Sequence, residues 1–204
     1  MFINSPFLIA LFNRLALKLL CLITTLTQLS PPIPRDTPHP LAFFSLVPMN
    51  GQASAALKGP ENAHLVSKFY RHKAVLDGLD IGLYIGSKSR YTLSTLRRSG
   101  DVTVQGSSIS RIQCSFELHE TSNEIMVHDR STNKSTRFFG KTAQSFEERR
   151  GLRRVLTDSE TNLELGFGGA TSDLYQFRLV WHDRDDLTTK LNIEKTIPFR
   201  PVLR

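Results

Sequence analysis

Cysteine is nearly absent from this chain: among 204 residues only Cys21 and Cys114 carry a thiol, too few for a disulfide framework. Cys114 falls on the inward face of an expected strand and reads as a small buried hydrophobe. Metal-ligand spacings are missing, and neither Gly-x-Gly-x-x-Gly nor a glycine loop ending in Lys-Ser/Thr occurs, so no cofactor and no metal are expected. His119-Glu120 and His128-Asp129 set imidazole beside carboxylate, but neighbours on a strand point to opposite faces and no nucleophile accompanies them, which argues against an enzyme. Long apolar runs are lacking too. The most apolar stretch, Phe7 to Leu29, is interrupted by Asn13, Arg14 and Lys18 and then by three threonines and Gln28, short of the roughly 20 residues that a spanning helix needs. It has no acid and no good cleavage site. A membrane or organelle-targeting segment and a gene-model extension ahead of a natural start at Met49 both fit, and the extension is our reading.

The formal charge of +7 is spread along the chain and not gathered in a block, so it is compatible with acidic partners and selects none. Pro31 to Pro40 holds five prolines in ten positions, which favours an extended linker. Composition stays loose up to Pro60, and the ordered region is expected to begin near His64. From there strands dominate. Ile81, Leu83 and Ile85 alternate into Gly86, and Leu93, Leu96 and Arg97-Arg98 are read as an insertion before Asp101-Val102-Thr103-Val104. Leu65 to Tyr70 fits a strand or one helical turn. Lys141 to Leu152 is polar and reads as an exposed loop or short helix. Val155-Leu156 opens a strand, and Gly166-Phe167-Gly168-Gly169 a turn. Tyr175, Phe177, Leu179 and Trp181 all point one way in the clearest strand of the chain. Short alternating runs without a convincing amphipathic helix between His64 and His182 argue for an all-β sandwich. Its aromatics fall on the core face, so no stacking platform for nucleic acid is left.

The densest information lies between Asp101 and Gly140. Ile112, Cys114, Phe116 and Leu118 alternate with Gln113, Ser115 and Glu117, and a second strand follows at Ile125 to Val127 after the polar turn His119 to Glu124. Polar loops flank this hairpin: Gly106-Ser107-Ser108-Ile109-Ser110-Arg111 before it and Asp129-Arg130-Ser131-Thr132-Asn133-Lys134-Ser135-Thr136 behind it. With Gly86-Ser87 upstream, this order resembles the forkhead-associated (FHA) domains, which carry Gly-Arg, then Ser-Arg/Asn-x-His, then Asp-x-Ser-x-Asn-Gly-Thr. The likeness covers roughly 82 to 182, and three signature positions differ: Ser87 for Arg, Gln113 for His and Lys134 for Gly.

The resemblance implies an FHA-like β-sandwich (SMAD/FHA type) over 64–183, a hydrophobic then Pro-rich extension over 1–63 that is disordered or not native, and a charged tail over 184–204. It also implies a module that binds phosphothreonine peptides. Ser110 and Thr132 would bond the phosphate, with Arg111 beside it, and Asn133 would hold the peptide backbone. Ser87, Lys88 and Arg90 would be auxiliary contacts. The physics agrees in kind, because a phosphothreonine brings roughly −1.5 to −2 charges and three acceptor oxygens, which call for donors and a cation from more than one loop. A hydroxyl at Ser87 does not replace a forked guanidinium, so weak binding is expected. The expected partner is a phosphorylated protein inside the cell, not a small molecule, nucleic acid or membrane. The alternative is a degenerate scaffold that ignores phosphorylation, or a fragment of a larger signalling protein.

Overall fold

The computed structural model describes residues 35–182 apart from 72, 84, 86–90, 120, 123, 140–151 and 158–162. These residues fall within one compact unit, Pro34–Arg204. The sequence assignments to 1–34, to the tail after 182 and to most of Lys141 to Leu152 therefore lie outside the described residues, as do Ser87, Lys88 and Arg90.

The strand that organises the first sheet is β1, Ala42–Pro48. It lies between β3, Ala74–Gly82, and β11, Tyr175–Trp181, antiparallel to both. This corrects the expectation that 1–63 is an extension and that the ordered region begins near His64. The run Leu41-Ala42-Phe43-Phe44-Ser45-Leu46-Val47 does not alternate because the strand is covered on both faces. Phe43, Phe44 and Leu46 enter the main core, while Val47 packs with Phe69, Val180 and Leu76 on the other face. A start at Met49 would omit this strand. After it comes helix α1, Gly51–Lys58, in a segment read from sequence as loose; Asn50 caps it by accepting from Ala53 N at 3.0 Å.

The Pro-rich stretch is not a free linker either, at least from Arg35 onward. Arg35 N donates to Val66 O at 3.1 Å and Lys68 N to Arg35 O at 2.7 Å, on the edge of β2, Val66–Arg71. His39 N then reaches Asp80 Oδ2 at 2.7 Å. Asp80 has no exposed surface and also accepts from Ser45 Oγ and Ser67 Oγ, each at 2.6 Å. His182 Nε2 lies 2.7 Å from Ser45 Oγ. One carboxylate thus ties the crossing strap 35–41 to β1, β2 and β3.

Among the described residues the six-stranded sheet runs β2-β3-β1-β11-β10-β8 and the five-stranded sheet β5-β4-β6-β7-β9. The remaining strands are β4 (Thr92–Arg97), β5 (Val102–Thr103), β6 (Cys114–Leu118), β7 (Ile125–Asp129), β8 (Thr136–Phe139), β9 (Arg153–Leu156) and β10 (Glu164–Phe167). The protein is mostly β, in two sheets that share one core without closing into a barrel. Phe44 of one sheet meets Phe116 of the other edge-on, with ring centroids 5.1 Å apart. Arg154 lies 4.6 Å over the Phe138 ring, joining β9 to β8 across the margin. Tyr175, Phe177 and Leu179 are buried as expected; Trp181 packs against the margin and is only partly buried.

Several boundaries move. The residues read as an insertion form β4, whose Thr95 N and Oγ1 both donate to Asp101 Oδ2, at 2.8 and 2.7 Å. The strand expected to run into Gly86 ends at Gly82, although Leu83 and Ile85 remain buried. β6 begins two residues after Ile112, and its outward residues Ser115 and Glu117 are buried, not solvated. The helical alternative for Leu65 to Tyr70 divides: a 3-10 turn covers Pro60–Leu65 and β2 follows. No helix among the described residues is long and apolar enough to cross a membrane.

Candidate functional site

The hairpin of β6 and β7 delivers the two polar loops to one end of the five-stranded sheet. Five cross-strand pairs from Cys114↔Asp129 to Leu118↔Ile125 set its register. Because the register places Asp129 opposite Cys114, the chain leaves β7 beside the residues that lead into β6. The loops then touch directly: Thr132 N donates to Ser110 Oγ at 3.2 Å. Ser110 is half-buried and Thr132 exposed. That bond uses an acceptor site of the serine and leaves its O–H to donate elsewhere.

Gln113 holds both loops from beneath. It is fully buried, accepts from Ser110 N through Oε1 at 3.2 Å, and donates from Nε2 to Ser135 Oγ and Thr136 Oγ1, both at 3.0 Å. The side chain that departs from the family pattern therefore serves as the bridge. Asp129 shapes the second loop as an Asx turn, accepting from Ser131 N at 2.9 Å and from Thr136 Oγ1 at 2.9 Å. Ser131 Oγ in turn accepts from Ser135 N at 2.7 Å. Lys134 adopts a φ of 48°, a left-handed conformation that costs a non-glycine residue about 1 to 2 kcal/mol.

A third loop closes against these two. Of the run Gly166 to Gly169 expected as a turn, Gly166 and Phe167 belong to β10, and Gly168 and Gly169, with φ of 72° and 73°, form the turn. Gly168 N donates to Ser135 O at 3.2 Å and Gly169 N to Ser108 Oγ at 3.0 Å. A Cβ at Gly168 would come within 2.5 Å of Ile109 Cδ1, so this close approach also requires glycine. Asn50, the cap of α1, holds the far side of the loop by donating to Asp173 O and Leu174 O at 3.0 and 3.2 Å.

Of the residues singled out from sequence, Ser110 and Thr132 are brought together. Arg111 and Asn133 are exposed, and neither side chain makes a hydrogen bond or ion pair among the described residues. Sequence reasoning did not find the structural roles of Gln113, Asp129, Ser131 and Ser135. Asp-x-Ser was the available signal, since it is an Asx-turn pattern whatever the loop binds.

A charged cluster on the face of the same strands turned away from the core was also missed. Glu117 Oε1 accepts from Ser115 Oγ at 2.7 Å and Arg130 NH2 at 2.7 Å, Oε2 accepts from Arg153 Nε at 3.0 Å, and His128 Nδ1 lies 3.1 Å from Oε1. Burial alone would raise the Glu117 carboxyl, but the bonds from Arg130, Ser115, Arg153 and His128 outweigh it and hold the pKa at about 2, against an ordinary 4.5. Burial, opposed by Glu117 and aided by the two arginines, lowers the His128 pKa. Cys114 is the reverse case: burial, with the Asp129 charge adding to it, pushes the thiol far up and leaves it unreactive.

The depressed Glu117 pKa stabilises the fold above the ordinary carboxylate pKa, and that stabilisation is lost as pH falls from about 4.5 toward about 2. A shift of this size corresponds to about 3 kcal/mol. His128 acts in the same direction, because the unfolded chain takes up its proton first as pH drops below 6.5. Glu117→Gln should therefore lower stability at neutral pH and flatten the fall between pH 4.5 and 2. Urea unfolding at a series of pH values measures this, and an unchanged acid slope would contradict it.

Among the described residues no group of three or more His, Cys, Asp or Glu is placed to hold a metal. No protein family, curated protein or solved structure matches the chain.

Proposed function

We propose that this chain is a phosphothreonine-peptide reader of the FHA type, on an FHA-type β-sandwich, acting as a protein-protein interaction module without catalysis. The observation that carries the reading is the direct contact of the two polar loops through Thr132 N and Ser110 Oγ, with buried Gln113 bonded to both. The Ser110 hydroxyl thus meets the backbone of Thr132, and exposed Arg111 and Asn133 follow these two residues in their loops. That is the donor set a phosphate and the adjoining peptide backbone need. Ser110 and Thr132 bind the phosphate, Arg111 supplies charge, and Asn133 holds the peptide backbone.

Its partner is a phosphorylated protein in the cytosol or nucleus. Asn133-Lys134-Ser135 is also an N-glycosylation sequon, and a glycan on Asn133 would cover the clamp. A secretory location is therefore at odds with this function.

Affinity is weak because Ser87 stands where the family has arginine, and a charged hydrogen bond is worth roughly 1.5 to 3 kcal/mol. Ser110→Ala and Asn133→Ala should each weaken phosphopeptide binding by about 1 to 3 kcal/mol. Ser87→Arg should tighten it by about tenfold or more and leave the unphosphorylated peptide unchanged. Titration against a degenerate phosphothreonine peptide library measures all three. If the wild type ignores phosphorylation and Ser87→Arg does not restore discrimination, the loops are remnants on a scaffold whose partners bind elsewhere.

A further inference from the structure

The loop that carries Thr132 and Asn133 is anchored by a side chain on the face of β6 turned away from the core. Its first residue after β7 is Arg130, whose backbone N donates to Gln113 O at 3.0 Å. The same residue sends its side chain to the outer face, where Nε donates to Ser115 Oγ at 2.9 Å and NH2 to Glu117 Oε1 at 2.7 Å. A guanidinium held at two points fixes its own backbone, and the next peptide unit begins the Asx turn on Asp129. Glu117 is shielded from solvent, with 9% of its side chain exposed, whereas Arg130 and Arg153 remain 37% and 35% exposed. Among the described residues, the groups that face this carboxylate, Ser115, His128, Arg130 and Arg153, belong to β6, β9 or the strand and loop of β7.

We infer that Glu117 and Arg130 are positioning residues that set the clamp's affinity from the outer face of the sheet, by fixing where the Ser131–Ser135 loop leaves it. The inference rests on the phosphopeptide reading for its ligand but not for its geometry. Arg153 provides the internal control. It binds the same carboxylate through Oε2 but comes from β9, and it does not belong to the loop.

The test uses the full chain with Glu117→Gln, Arg130→Gln and Arg153→Gln, a fluorescent degenerate phosphothreonine peptide library as the probe, and amide hydrogen exchange as a ligand-free readout. Arg130→Gln and Glu117→Gln should weaken binding by about tenfold and speed exchange at the Thr132 and Ser135 amides by a similar factor, the scale on which a remote contact tunes a site. Arg153→Gln should change either quantity by less than about twofold, although it removes an ion pair from the same carboxylate. Equal losses from Arg153→Gln and Arg130→Gln would reduce the effect to general stability and overturn the inference. So would an Arg130→Gln protein with unchanged affinity and exchange. If the wild type fails to distinguish phosphorylated from unphosphorylated peptide, the ligand reading falls, and the exchange comparison alone decides the positioning role.

Discussion

A chain begun at Met49 should not fold, whereas one begun at Arg35 and ended at His182 should show a cooperative transition. The shorter chain lacks β1, which pairs with β3 on one side and β11 on the other. Its loss leaves two strand edges unpaired in the middle of the six-stranded sheet. It also removes Phe43, Phe44 and Leu46, each at most 1% exposed. Truncating any one such side chain costs about 2 to 5 kcal/mol, and the three together are comparable to the roughly 5 to 15 kcal/mol that stabilises an ordinary domain. Near-ultraviolet circular dichroism through a thermal ramp reads the outcome. A cooperative melt from the Met49 chain, within a few degrees of the longer one, would show that β1 is dispensable and that the first sheet is wrongly assigned.

The second large effect is expected at Asp80. This carboxylate is wholly buried and receives Ser45 Oγ, Ser67 Oγ and His39 N, with Arg35 NH2 at 3.5 Å. Asp80→Ala removes the acceptor and strands several donors, so it should cost about 3 to 5 kcal/mol. Asp80→Asn keeps an acceptor oxygen for the hydroxyls and should cost less. Protection of the His39 amide should fall in both variants before global unfolding, because that bond holds the strap. Urea denaturation with exchange at His39 checks both parts. A loss below 1 kcal/mol for Asp80→Ala would mean that the strap contributes little to the fold.

The hairpin of β6 and β7 and the aromatic face of β11 were legible because apolar residues on one face alternate with mostly polar ones on the other, even where the polar ones are buried, as Ser115 and Glu117 are. β1 was not, because a strand covered on both sides leaves a continuous apolar run, and its flanking prolines resemble the linker before them. Pro48 sits at the last position of the strand, where the rule against proline in a sheet relaxes. β4 hid for a related reason: Ser94 and Thr95 interrupt its apolar pattern, and Asp101 answers Thr95 from a turn that sequence alone does not reveal. Glu117 looked solvated because nothing local announces that Arg130 and Arg153, 13 and 36 positions away, converge on it.

At the candidate site, Ser110 and Thr132 were found by motif order, and their contact follows from the hairpin register. The importance of Gln113 was inverted. It was noted as a departure from histidine, whereas an amide's separate donor and acceptor suit it to bond Ser110 N on one side and two hydroxyls on the other. Lys134, at the position that is glycine in the FHA pattern, takes a positive φ, which a side-chain-bearing residue adopts only at a cost.

The proposed phosphate clamp is tested most directly by calorimetric titration of the full chain with one peptide sequence in three forms, carrying threonine, phosphothreonine or phosphoserine at the same position, drawn from the strongest binders of a degenerate library. The account predicts measurable but weak binding of the phosphothreonine form, weaker binding of phosphoserine if the site follows the FHA preference for threonine, and none of the unmodified peptide. Equal affinity for the phosphorylated and unmodified forms would contradict it.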